Sequence, residues 1–440
     1  MAEGILLLLY FLFFGLFVLF SPWFRVPGFN GAWSLGLFLL KFAAGMGVAW
    51  IYTHIYSDRS TADVYKLFDD SRYLYEALEK NPGDYWRMIF GLDENAPYYD
   101  VYYNRMNNWF NKYTFNPSFF NDTRTIIRVN ALIRLFSFGY YSIHVLVWSF
   151  ISLLGTVMIA KAVFPLSNIN RYALLAALFG IPSVLAWGSA LLKEGLLLLF
   201  MGAVLLGFFR TLTSGVSLRN LVLLLLGTAG FFVLKVHVFL ALLPALAGCL
   251  LAFRFGKIPV HWCFVIVLSA STLAFGLFSW LFPQIDLLEW MAHRQQAMLR
   301  LAYYTDSGSM LFVNPLDGTW LSVLRNLPEA LLSAFFRPWV SEADGTLQWL
   351  AALENLMLAM LILPAILFRK ACSREQIILV GFCFTFTFVL FAFMGLTTPV
   401  LGTLVRYRMP ALLFFVLGII QLTDYQAFIS QLKIWFRYDN

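Results

Sequence analysis

Residues 172–211 read YALLAALFGIPSVLAWGSALLKEGLLLLFMGAVLLGFFRT. Two apolar runs, about 172–190 and 195–211, flank the charged pair Lys193-Glu194. Each run is close to the ~20 apolar residues a helix needs to cross the hydrocarbon core of a bilayer. Charge is costly in hydrocarbon, so the pair marks a tight turn at a membrane surface. Similar runs recur at roughly 5–21, 34–55, 139–164, 219–235, 238–253, 258–282, 347–368, 376–398 and 404–422. The expected fold is all-α, a polytopic transmembrane helix bundle of about eleven spans in one integral domain, residues 1–440.

Composition agrees. The chain has 440 residues, 60% hydrophobic and 12% charged, with mean hydropathy +0.74. A soluble domain carries about 25% charged residues. Lipid contact, rather than one buried core, accounts for the difference. The 46 Phe, 20 Tyr and 14 Trp suit lipid contact and interfacial anchoring. The net charge of +7 is modest and carries no signal of nucleic acid. Cys249, Cys263, Cys372 and Cys383 show no CxxC spacing and read as small apolar residues. The first twenty residues lack a basic n-region and a cleavage site, so they read as a retained span.

Short loops alternate in charge. Arg25, Lys161, Arg171, Arg210, Arg219, Arg254, Lys257, Arg369, Lys370 and Arg374 fall on one side, with Lys433 and Arg437 in the tail. The positive-inside rule makes that side cytoplasmic. Two long segments, 56–138 and 283–346, then lie outside. In the first, Val64, Leu67, Phe68, Leu74 and Leu78 recur at helical spacing among charged residues, an amphipathic helix expected to lie in the membrane interface. Asn81-Pro82-Gly83-Asp84 ends it. A second such helix is expected over about 287–303.

With that topology, the notable polar groups gather at the outer surface. Asp63, in Thr61-Ala62-Asp63-Val64-Tyr65, is placed to act as a general base toward an acceptor hydroxyl, with Asp58, Asp69 and Asp70 as alternatives. The bland alternative is a solvated charge on a surface helix. Asp69-Asp70 offers oxygen ligands for a divalent metal; no other cofactor is indicated. Lys193 suits a phosphate and Glu194 a second acid or base, against a reading as snorkelling turn charges. Lys235-Val236-His237 interrupts a long apolar stretch, which makes Lys235 another phosphate candidate and His237 more plausibly a structural hydrogen-bonder. In Arg406-Tyr407-Arg408-Met409-Pro410, two permanently charged forks precede a late span. Residues at i and i+2 do not share a helical face, so one Arg is expected inward and one toward headgroups. Arg337, in Phe336-Arg337-Pro338-Trp339 and followed by Glu342 and Glu354-Asn355, either closes the site or anchors the interface. No GxxxxGK[ST], HExxH or GxSxG occurs, so nucleotide-driven transport, zinc hydrolysis and serine hydrolysis lack local support.

In this layout the chain resembles the GT-C class of integral-membrane glycosyltransferases. The resemblance rests on the many spans, on Asp63 beside an amphipathic helix in the first long outer loop, and on the Arg-Tyr-x-x-Pro-like element at 406–410. The stretches at 189–195 and 336–339 also look like those of bacterial polysaccharide-assembly membrane proteins. Two departures stand out: the acidic loop follows the second span rather than the first, and no Asp-x-Asp is present. The resemblance implies sugar transfer from a polyprenyl-phosphate-linked donor to a glycan, lipid or protein acceptor at the outer face of the bacterial cytoplasmic membrane. Asp63 would activate the acceptor, and Lys193, Lys235, Arg337, Arg406 or Arg408 would hold the phosphate. A repeat-unit polymerase or ligase using a polyprenyl-diphosphate oligosaccharide is the near alternative. A lipid or oligosaccharide transporter predicts charges deep in the spans and broken helices. The span centres read as almost uncharged, which favours the surface enzyme. A non-catalytic envelope scaffold is the third reading.

Overall fold

The structure is a computed structural model that describes residues 2–55, 59, 62–92, 96–109, 121–282, 286–304 and 308–438. Thr61 and Asp58 lie outside the described residues. In chain order the helices are α1 (Ala2–Phe20), α2 (Gly31–Ile55), α3 (Asp63–Lys80), α4 (Pro82–Phe90), α5 (Asp100–Tyr103), α6 (Asp122–Ser137), α7 (Tyr141–Val163), α8 (Arg171–Phe179), α9 (Pro182–Ser189) and α10 (Lys193–Ser214). They continue with α11 (Leu218–Leu234), α12 (Val236–Arg254), α13 (Val260–Leu281), α14 (Leu287–Tyr304), α15 (Trp320–Phe336), α16 (Thr346–Leu367), α17 (Arg374–Thr397), α18 (Leu401–Tyr407), α19 (Met409–Leu422) and α20 (Tyr425–Tyr438). No strand occurs among the described residues.

Eight of these helices are long and apolar enough to cross a membrane: α1, α2, α7, α10, α12, α13, α16 and α17. Two further runs read from sequence as single spans, 172–190 and 404–422, are each two helices. The axis bends by 59° between α8 and α9 and by 57° between α18 and α19. Each break precedes or adjoins a proline, Pro182 or Pro410, which has no N–H for the ladder and clashes with the carbonyl one turn back. If each bent pair is one span, ten spans result. α11, at 17 residues, is shorter.

The helices fall into two compact units, Met1–Val163 with Leu185–Phe239, and Phe164–Val184 with Leu240–Asn440. In the first, α7 is apolar around its circumference and buried on nearly every face, as expected of a central helix. α2, α6 and α10 pack on it. A methyl group on Gly155 of α7 would overlap the Leu198 backbone of α10, and one on Gly202 would overlap the Gly155 carbonyl. These two helices therefore approach backbone to backbone, which only small residues permit. α1 buries little beyond Gly15 and Val18 and presents the rest of its apolar surface outward.

The amphipathic helix expected over 62–80 forms as α3, but its apolar face is covered by protein. Val64, Leu67, Phe68, Leu74 and Ala77 are buried, and α3 packs on α6, whose Ile126, Ile127, Ala131 and Ile133 face inward. The Tyr65 hydroxyl donates to the Ala49 carbonyl at 2.9 Å and pins α3 to α2. Gly91, at φ +69°, ends α4 in the left-handed conformation that lacks a Cβ penalty.

In the second unit, α19 is buried at every position from Met409 to Gln421 and forms the centre. α8, α16 and α17 surround it, and α15 lies on α17. α13 buries only Val260, Cys263 and Phe264 and leaves its remaining apolar face open. Arg374 supplies cationic capping: one guanidinium nitrogen donates to the carbonyls of Ala252, Phe255 and Ile258 at 2.9, 3.0 and 3.1 Å, at the C-terminal end of α12.

Candidate functional site

Three helix ends of the first unit bring four charged side chains together. α6 opens on Asn121, whose side-chain oxygen accepts from the Thr123 and Arg124 amides at 3.0 and 3.2 Å. This N-cap fixes Asp122 at the first helical position, where the dipole favours a carboxylate. α10 begins at Lys193 and Glu194, directly after an extended Leu192. α11 ends at Lys235, a non-helical residue that separates it from α12. The Lys193 ammonium lies 2.8 Å from the Asp122 carboxylate and 3.1 Å from the Thr123 hydroxyl. The Lys235 ammonium donates to Glu194 Oε1 at 3.0 Å. The Thr125 hydroxyl, donating to the Val233 carbonyl at 3.1 Å, holds the end of α11 against α6.

The two pairs differ in exposure. The Lys235 and Glu194 side chains are 4% and 2% exposed, whereas Lys193 and Asp122 are 20% and 37% exposed. Burial alone would raise the Asp122 pKa, but the Lys193 ammonium, helped by Lys235, outweighs it and holds the carboxyl below its ordinary range. The sign follows for stability. A carboxyl whose folded pKa is depressed contributes fully above its unfolded value, about 3.9, and loses that contribution as pH falls through the folded value. Thermal unfolding from pH 7 to pH 3 should therefore fall more steeply for the wild type than for Asp122→Asn; equal slopes would mean that the pair does not persist in solution.

The neighbours of Asp63, Ala62 and Val64, share a hydrophobic cluster with Ala190 and Leu192, which precede Lys193. Asp63 is the first residue of α3, follows an Ala62 N-cap with no side-chain bond, and pairs with Lys66 one turn on. Asp69 accepts from Arg59 Nε and Nη2 at 2.8 and 3.1 Å. Asp70 is 3% exposed. It accepts from the Asn107 amide, the Asn108 amide and Asn108 Nδ2 at 3.1, 2.8 and 2.9 Å. Burial raises its pKa, against the opposing effect of those bonds. Adjacent on a helix, the two carboxylates are thus directed to different partners. Among the described residues no group of three His, Cys, Asp or Glu could hold a metal ion.

The arginines lie in the second unit. Arg408, at the bend between α18 and α19, is fully buried. Its Nη1 donates to the Ala334 and Arg337 carbonyls at 2.8 and 3.1 Å, and its Nη2 donates to Asn355 Oδ1. Asn355 Nδ2 in turn donates to the Phe336 and Pro338 carbonyls at 2.9 and 3.1 Å. Arg408 is therefore a clamp on the end of α15. Arg406 is half-buried, its guanidinium 5.3 Å from the centre of the Tyr407 ring. Arg337 pairs with Glu342 at 3.2 Å. Glu354 is 4% exposed and accepts from the Ser183 amide at 2.6 Å, at the start of α9.

No protein-family model, curated protein or solved structure matches the chain.

Of the expected site residues, Lys193, Glu194 and Lys235 converge. Asp122 completes the group and was not singled out from sequence. Its signal was the Asn121-Asp122-Thr123 run ahead of an amphipathic segment, a helix-start pattern. Chemically, the group offers two ammoniums at hydrogen-bonding reach of carboxylates, with one pair accessible. An anionic oxygen could take Lys193 in place of Asp122 and leave that carboxylate to accept a proton.

Proposed function

We propose that the chain is a membrane glycosyltransferase that uses a polyprenyl-phosphate-linked sugar, with chemistry at the layer formed by Asp122, Lys193, Glu194 and Lys235. The observation that carries this reading is the accessible Lys193–Asp122 pair backed by the buried Lys235–Glu194 pair. In the reaction, the acceptor hydroxyl oxygen bonds to the anomeric carbon as the bond from that carbon to the phosphate oxygen breaks. The leaving phosphate gains a negative charge, which Lys193 and Lys235 offset. The hydroxyl proton passes to Asp122, freed from Lys193 by the incoming phosphate. Asp63, paired with Lys66 at a helix start, is then a positioning group in the outer segment. The outer face of the cytoplasmic membrane remains the proposed location, on the charge pattern of the short loops.

The test compares glycans and lipid-linked intermediates in cells with the wild type, a deletion, Asp122→Asn and Asp63→Asn at matched expression. Loss of a general base costs on the order of 10²–10⁴-fold in rate. Asp122→Asn should then accumulate the same lipid-linked precursor as the deletion, and Asp63→Asn should retain product. An unchanged glycan profile in the deletion would sink the enzyme reading.

A second reading, transport of a lipid-linked substrate, draws on the two bent helices and on buried charges within apolar helices. Lys41 of α2 is 1% exposed and Glu354 of α16 is 4% exposed. Bent or broken helices and intramembrane charges are the marks of transporter sites. In the same experiment, a precursor trapped on the cytoplasmic leaflet, rather than one accessible outside, would move transport to the front.

A further inference from the structure

The outer segment of the first unit holds a polar cavity of about 320 Å³ that none of the chemistry above uses. Its lining includes Arg59, Lys66, Arg72 and Arg134, together with Asp69 and Asp70. Charge partners around it can be matched one by one. Arg59 is paired with Asp69, Lys66 with Asp63, and Arg72 and Arg105 share Glu76 at 3.2 and 2.7 Å. Asp70 is taken up by three N–H donors. Among the cations, Arg134 is the exception. It is 6% exposed. Nε donates to the Ser71 hydroxyl and Nη2 to the Phe68 carbonyl, both at 2.7 Å, and the guanidinium lies over the Phe68 ring at 4.3 Å. Every one of these partners is neutral, and among the described residues Arg134 makes no ion pair with a carboxylate.

The plainest account of Arg134 is a clamp between α6 and α3. That account explains two donors and leaves the charge. A buried cation whose hydrogen-bond partners are all neutral bears a desolvation cost that a bound anion lowers. Burial pushes the guanidinium down to about 10, and the Asp69 and Glu76 carboxylates, acting from beyond hydrogen-bonding distance, offset that only in part. The cavity supplies the room: its volume is at the small end of ligand pockets. Arg72 and Arg59, with side chains 58% and 53% exposed, contribute cationic groups that solvent reaches.

We propose that this cavity is an oxyanion-binding site, taking one phosphate or carboxylate group on a body no larger than a monosaccharide, with Arg134 as its buried counter-charge. The site is independent of the reaction assigned to the Lys193 layer. Its anion is either a soluble phosphate or carboxylate or the phosphate of a lipid headgroup.

The experiment titrates the full-length protein, in neutral detergent at low salt, with inorganic phosphate, glucose 6-phosphate, glucuronate and glucose. It repeats the titrations in nanodiscs of phosphatidylcholine with and without phosphatidylglycerol. At least one soluble anion should bind and glucose should not. Arg134→Gln should lose that binding, and Arg72→Gln, whose side chain is on the exposed side and outside the clamp, should weaken it roughly tenfold while melting like the wild type. If phosphatidylglycerol competes the soluble anion away, the headgroup is the physiological source; if it does not, a soluble anion is. Equal binding of glucose, anion binding unchanged in both variants, or absence of anion binding in detergent would overturn the proposal.

Discussion

Removing one member of the Lys235–Glu194 pair should lower the thermal midpoint on the order of 10 °C, the largest loss expected from any charge in the first unit. Both side chains are almost fully buried, 3.0 Å apart. Lys235→Met or Glu194→Leu alone removes the 3.0 Å partner of an almost fully buried charge, which costs about 3–5 kcal/mol. Replacing both with apolar residues removes the desolvation cost together with the attraction, so the double variant should recover most of the midpoint. The pair of measurements separates structure from chemistry. If the pair only fastens α11 to α10, the stable double variant keeps its glycan product. If Lys235 offsets charge on a leaving phosphate, the double variant melts near the wild type yet accumulates the lipid-linked precursor. Additive destabilisation in the double variant would mean that the two groups do not interact as a pair in solution.

That pair also shows what could be read in advance. The runs at about 139–164, 195–211 and 376–398 announced helices because twenty apolar residues have few alternatives in lipid. The turn at Lys193-Glu194 and the break at Lys235 were legible for the same reason, since charge interrupts apolar sequence. The partners were not. Asp122 meets Lys193 from 71 positions away, and Glu194 meets Lys235 from 41. Sequence displays a lysine as an available cation, while only the meeting of α6, α10 and α11 reveals that a carboxylate already sits beside it. The bends were half legible: Gly180-Ile181-Pro182 and Met409-Pro410 signal interruption, but not the 59° and 57° by which the axes turn. Glu354 shows the opposite failure. Noted in sequence only as following Arg337, it is buried against the start of α9.

Arg408→Ala should destabilise the second unit as much as any substitution outside its apolar core, while Arg406→Ala, at a half-buried position beside the Tyr407 ring, should cost less. The two arginines are two residues apart, and sequence gave no ground for ranking them. Arg408 is 0% exposed and holds two backbone carbonyls and Asn355, which itself holds two more. Its loss leaves those carbonyls at the end of α15 without their donor and empties a large buried site, together about 3–5 kcal/mol. Arg408→Lys should recover only part, because a single ammonium cannot reproduce a planar fork directed at three acceptors. A phosphate ligand would behave differently: its alanine variant would melt normally and fail only when substrate is present. Measuring the midpoint in detergent without substrate therefore decides between the two roles. A wild-type midpoint for Arg408→Ala would mean that the buried clamp opens in solution, returning Arg408 to the phosphate-binding role its sequence position suggested. A large loss restricts the search for phosphate ligands to groups that solvent reaches, Lys193 first among them.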